Sequence, residues 1–163
     1  MERSEQLGSE RPFLRIVMET FNYVYTVGMT DTEVETRLAD GNIGVLALAD
    51  ARTAYAVPIS YYYDGRSVFF RLTDEPNSRK HTFADTTEEA CFALFGADTD
   101  ETWSILVRGP LHEVPDPVAR GLDETTLNTE LSPIRVFDGD IEGIELVVFE
   151  LEIDSVVGRQ TAD

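Results

Sequence analysis

Lysine is almost absent from this 163-residue chain: Lys80 stands alone, and the other twelve basic residues are arginines. Bases as a whole are scarce, 13 against 31 acids, for a net charge of −18 and a pI of about 4.3. A surface of that sign repels phosphate at a distance, which argues against nucleic acid and anionic membrane as partners. A single cysteine, Cys91, rules out an internal disulfide, and no Cys/His spacing resembles a zinc site. No apolar run approaches the roughly 20 residues of a membrane span, and the N-terminus shows no signal-peptide pattern. Both absences point to the cytosol. Gly-x-Gly-x-x-Gly, a Walker A loop and Gly-x-Ser-x-Gly are all missing. Neither His81 nor His112 has a partner suggesting a triad, so acid–base and covalent catalysis have no visible machinery. An enzyme built from this chain needs a bound cofactor to carry the reaction.

What is present is an ordinary globular composition, 42% apolar and 10% aromatic, in a length suited to one domain. The acids are dispersed along the chain. With so little lysine, that dispersion resembles the cytosolic proteins of salt-accumulating halophiles; a generally acidic solubility surface is the plainer alternative.

Residues 1 to 12 read as a frayed start, and 13 to 27 as a helix. Thr30-Asp31-Thr32-Glu33 is a capping box, opening a short helix that Gly41 ends. The pattern then changes to period two. Strands are expected at 44–49, 54–63, 67–73, 91–96 and 103–109, the last continuing past Pro110 through 111–114. Asp50-Ala51-Arg52 and Asp64-Gly65 supply turns. A helix is expected at 116–127, a loop at 128–140, and a closing strand at 144–153 with Val156 and Val157 as an extension. The fold class is mainly β with flanking helices, a small barrel or sandwich. The division is an N-terminal extension (1–28), a main domain (29–158) and a tail (159–163).

Three places could hold chemistry. The segment from Phe69 to Phe83 reads as a strand, a polar loop and a helix start with Ser78 as N-cap. Unpaired N–H groups beside Arg79 and Lys80 suit a phosphate; a solvated helix face with one chance lysine fits equally well. Pro58, mid-strand, marks an edge or an opened strand, which would leave backbone groups near Ile59 and Ser60 for a flat heterocycle. Trp103-Ser104 opens a strand after an acidic loop, where the ring covers a ligand or simply packs in the core.

The succession Gly44-Val45-Leu46-Ala47-Leu48, Ala56-Val57-Pro58-Ile59-Ser60, Asp64-Gly65 leading to Val68-Phe69-Phe70, Ser78-Arg79-Lys80, Cys91-Phe92-Ala93-Leu94 and Trp103 to Gly109 resembles the pyridoxamine 5′-phosphate oxidase-like flavoproteins, most of all haloarchaeal ones. The likeness spans about residues 30 to 158. It implies an FMN-binding split β-barrel that dimerises, with the flavin in a groove between subunits. By position, Pro58, Ile59 and Ser60 would give backbone contacts to the isoalloxazine ring. Arg71, Leu72 and Thr73 would run beside the ring and ribityl chain. Ser78, Arg79 and Lys80 would hold the phosphate, and Trp103 and Ser104 would approach from the partner subunit. Departures exist. Arg79 replaces a glycine that many relatives carry before the lysine, and Arg71 stands where some carry histidine. The oxidase's substrate-phosphate cluster of Arg, Tyr, Ser and His has no counterpart between Glu145 and Gln160, which counts against pyridoxamine phosphate as substrate. Three readings follow: an FMN-dependent oxidoreductase, the same fold using the deazaflavin F420, or a flavin- or ligand-binding dimer without turnover.

Overall fold

A computed structural model describes residues 26–73, 79–131 and 146–162. In chain order the elements are β1 (Thr26–Gly28), α1 (Asp31–Asp40), β2 (Ile43–Asp50), β3 (Thr53–Ser60), β4 (Tyr62–Tyr63), β5 (Ser67–Thr73) and α2 (Arg79–Thr86). There follow β6 (Ala90–Ala97), β7 (Thr102–Gly109), β8 (Leu111–Glu113), a 3-10 turn (Val118–Arg120), α3 (Glu124–Glu130), β9 (Leu146–Glu152) and β10 (Ser155–Thr161).

Local chemistry explains most boundaries. The Thr30 hydroxyl accepts from the Glu33 N–H at 3.2 Å, and the Glu33 carboxylate accepts from the Thr30 N–H at 2.7 Å, so the capping box is complete. β2 and β3 form a hairpin around Ala51-Arg52, with Asp50 opposite Thr53. In the next turn Gly65 has φ +93°, and the Asp64 carboxylate accepts from the N–H groups of Arg66 and Ser67 at 2.8 and 2.7 Å.

All the strand pairs are antiparallel, in two sheets: a six-stranded one ordered β1-β10-β7-β6-β2-β3 and a four-stranded one ordered β4-β5-β9-β8. The core lies between them. Leu46, Phe92, Leu94, Ile105 and Val107 come from the first, and Val68, Phe70, Leu72, Phe149 and Leu151 from the second. A second cluster lies on the far side of the smaller sheet, where Phe69 and Val148 pack against Leu122, Leu127 and Leu131. β5 is therefore covered on both faces, which is why it reads as a nearly unbroken apolar run.

Two expectations need correction at the seams between sheets. The strand expected over 54–63 is two strands: β3 pairs with β2, whereas β4 pairs with β5 in the other sheet. The residue between them, Tyr61, is buried, and its hydroxyl donates to the Leu38 carbonyl at 2.6 Å. Likewise β8 does not continue β7 past Pro110; it pairs with β9 in the second sheet. Gly109 makes this corner possible, because a Cβ there would lie 1.6 Å from the Glu152 carbonyl oxygen. Side-chain alternation is the same on either side of a sheet change, so periodicity did not reveal it.

The helix expected at 116–127 is broken. The 3-10 turn ends at Gly121, whose φ of +77° stops it, and Asp123 then caps α3 by accepting from the Thr126 N–H at 2.7 Å. α3 runs to Glu130, into the expected loop; residues 132–145 lie outside the described residues. The helix expected over 13–27 also lies outside them, apart from Thr26 and Val27, which are strand. The extension expected at Val156 and Val157 is a full strand whose residues 159–161 pair with β1.

Candidate functional site

α2 carries the sole lysine at its start and is fixed in place at its end. Just beyond it, the Thr87 hydroxyl donates to the Phe83 carbonyl at 2.5 Å and accepts from the Ala49 N–H of β2 at 3.2 Å. Within the helix, Phe83 stacks on Tyr55 of β3, ring centroids 5.3 Å apart. The Arg79 guanidinium lies over that same Tyr55 ring, 6.0 Å from its centroid. Arg79 is exposed and Lys80 half-buried. Two cations thus stand at a helix start, and β3 supplies an aromatic floor to the first of them, Arg79. Ser78, the expected cap, lies outside the described residues together with 74–77.

β3 is the edge of the six-stranded sheet, as Pro58 suggested. The strand is not opened there, however. The Tyr61 N–H donates to the Asn42 carbonyl at 3.0 Å. Counting back in twos from that rung leaves Ile59 bonded to Gly44 and puts Pro58, opposite Val45, at a non-bonded position. Proline's missing N–H therefore costs the ladder nothing. Ile59 and Ser60 are both buried.

The remaining expected residues fall elsewhere. Leu72 is in the core between the sheets, and half-buried Thr73 ends β5. Arg71 lies on the opposite face of β5 from Leu72, and its guanidinium donates to the Asn128 side chain of α3 at 2.8 Å. Trp103 and Ser104 are on β7, three strand spacings from β3, or roughly 14 Å. Trp103 is half-buried against the core under the Arg37 guanidinium, 4.4 Å from its ring centroid, and Arg37 also pairs with Glu101 at 3.1 Å. Within one chain, then, Arg79 comes to β3 at Tyr55 with Lys80 next to it in sequence, while Trp103, Ser104 and Arg71 lie apart from them. Tyr55 was missed from the sequence, although it lies three residues before Pro58 on the same strand. Arg37 was missed for lack of any local signal.

The outward face of the six-stranded sheet differs from the rest of the surface. Ile43, Val45 and Ala47 of β2, Ala93 and Phe95 of β6, and Leu106 of β7 point outward. Phe95 is 70% exposed and Leu106 37%. The registers place no Asp or Glu at any outward position of β2, β3, β6, β7 or β10, in a chain with 31 acids.

Two antiparallel sheets sharing one core, with the chain changing sheets at Tyr61 and Pro110, make a split β-barrel. A model of the pyridoxamine 5′-phosphate oxidase family matches residues 30–160, and the chain belongs to that family. Its fold is similar to that of a FAD-binding protein from Mesorhizobium loti (TM-score 0.70, 19% identity, covering 84% of this chain and 99% of that one). A FAD-binding protein from Mycobacterium smegmatis is also similar (TM-score 0.65, 19% identity, covering 83% and 100%). So is a FAD- and heme-binding protein from the same organism (TM-score 0.61, 12% identity, covering 85% and 74%). No curated protein matches the sequence.

Proposed function

We propose that this chain is a flavin-binding homodimer that acts as an oxidoreductase, with FMN as the flavin. The observation that carries the reading is the start of α2, where Arg79 stands over Tyr55 of the edge strand β3 and the only lysine is the next residue. In so acidic a chain, that pair of cations suits a phosphate. From Tyr55 to Pro58 is three residues, roughly 10 Å along the strand. That is comparable to an extended five-carbon chain with its phosphate, so a ring lying against the β3 edge and a phosphate at Lys80 are compatible. Bound flavin would supply hydride or electron transfer. The chain's own part is to neutralise the phosphate with Arg79 and Lys80 and to orient the ring along the strand at Pro58, Ile59 and Ser60.

Dimerisation completes the site in this reading. The acid-free sheet face, which none of the described elements covers, offers apolar surface for a second copy. Ser104, outward on β7 and too far from β3 in its own subunit, reaches the flavin of the other; the Trp103 ring, on the core side of β7 under Arg37, supports that strand. FAD is the second reading, favoured by the names of the two FAD-binding structural neighbours.

The experiment is an absorption spectrum of protein purified in high salt, with chromatography of the chromophore released on denaturation. FMN in the released fraction supports the proposal, and FAD the second reading. A deazaflavin would mean F420. Bleaching of bound flavin by NADH or NADPH would establish turnover, whereas stable flavin that no donor reduces would leave a binding protein.

A further inference from the structure

The far face of the four-stranded sheet holds a cluster that plays no part in the flavin reading. Glu150 and Glu152 are two apart on β9 and so share a face; His112 on β8 lies directly opposite Glu150. The His112 Nε2 is 3.4 Å from the Glu150 Oε1 and 3.4 Å from the Glu152 Oε1, and all three atoms lie within 4.8 Å of one another. We propose that His112, Glu150 and Glu152 form a binding site for a divalent transition metal of the zinc class.

The two His112 distances suit ligation as well as a long hydrogen bond. An N–H···O bond is normally about 2.7–3.2 Å long, and the imidazole nitrogen is beyond that range from both carboxylates at once. Around a tetrahedral ion with bonds of about 2.0–2.1 Å, neighbouring ligand atoms sit roughly 3.4 Å apart. One imidazole and two carboxylates are a donor set that zinc-class ions accept.

The support around the ligands has the form such sites take. Glu150 is only 3% exposed, and its carboxylate is held by Arg120, whose Nη1 donates to Oε1 at 3.1 Å and whose Nη2 donates to Oε2. A hydrogen-bonded carboxylate of fixed orientation is what an outer shell provides to a ligand. His112 and Glu152 have side chains 45% and 56% exposed, so an ion has access from solvent. A cavity of about 480 Å³, lined by Asp64, Arg66, Ser67, Arg120, Glu150 and Glu152, adjoins them. Three protein ligands leave a fourth position for water or a small anion.

The test is calorimetric titration of the chelator-treated full chain with ZnCl2, with Co2+ as a visible probe of tetrahedral geometry. Wild type should bind one tight equivalent per chain. Exposed Glu113, adjacent to His112 but pointing to the other face of β8, provides the control: Glu113→Gln should bind as wild type does. His112→Ala should lose more than the roughly 10–100-fold typical of an outer-shell partner, and Glu152→Gln should also bind more weakly. Circular dichroism confirms that each variant is folded. Equal zinc binding by wild type and His112→Ala, as expected of a diffusely acidic surface, would overturn the proposal. So would an equal loss in Glu113→Gln. Flavin content does not enter this readout, so the two proposals stand or fall separately.

Discussion

The Tyr61 hydroxyl donates to the main-chain carbonyl of Leu38, 2.6 Å away, and so joins the last turn of α1 to the point where the chain leaves one sheet for the other. Both residues are buried. Tyr61→Phe leaves that carbonyl without its partner and should cost about 1–2 kcal/mol, measured by urea denaturation. Burial, with Asp40 nearby, raises the phenol's pKa well above its ordinary 10. The unfolded chain therefore loses this proton first as pH rises. The neutral phenol's contribution is complete below pH 10 and is lost as pH climbs above it. Stability of the wild type should fall above that pH, and Tyr61→Phe should show a shallower fall.

Gly109 is held against the Glu152 carbonyl at the second change of sheet. A methyl group there meets main chain, which cannot step aside as a flexible side chain can. Gly109→Ala should destabilise by about 3 kcal/mol in the same denaturation measurement. Gly121→Ala tests a different requirement: space is open there, but φ is +77°, so its cost should be smaller, about 1 kcal/mol.

These two seams also mark the limit of what the sequence discloses. The capping box at Thr30, the turn at Asp64-Gly65 and the edge position of Pro58 were legible because each depends on a few adjacent residues. The sheet changes at Tyr61 and Pro110 were not, because a strand keeps its alternation whichever partner it takes. Part of the candidate site was legible for the first reason: Arg79 and Lys80 are consecutive and open a helix. Tyr55 beneath Arg79 depends on how α2 docks on the β2–β3 hairpin. The juxtaposition of His112 with Glu150 and Glu152 depends on cross-strand register between residues nearly forty apart, and no local spacing encodes it.

The acid-free sheet face makes its own prediction. If a second copy covers it, carboxylates placed at its centre should keep the copies apart. Phe95→Asp combined with Leu106→Asp should yield a folded monomer where wild type is a dimer, as read by sedimentation velocity in high salt. The variant should also bind flavin more weakly, since in the proposed dimer Ser104 of the other subunit would be lost from the groove. A double variant that remains dimeric would move the interface elsewhere.

Thr87 ties the end of α2 to β2, with its hydroxyl shared between the Phe83 carbonyl and the Ala49 N–H. Thr87→Val keeps the shape and removes both bonds. A loss of about 1–2 kcal/mol in stability is expected, with a weaker flavin affinity if the position of α2 sets that of Arg79 and Lys80.

Whether Lys80 holds a flavin phosphate is decided by titrating wild type and Lys80→Ala with FMN, following quenching of flavin fluorescence. Wild type should bind one FMN per chain. Lys80→Ala should bind more weakly by about 1.5–3 kcal/mol, or roughly 10–150-fold in Kd. Unchanged affinity in Lys80→Ala, or a folded wild type that takes up neither FMN nor FAD, would contradict that role.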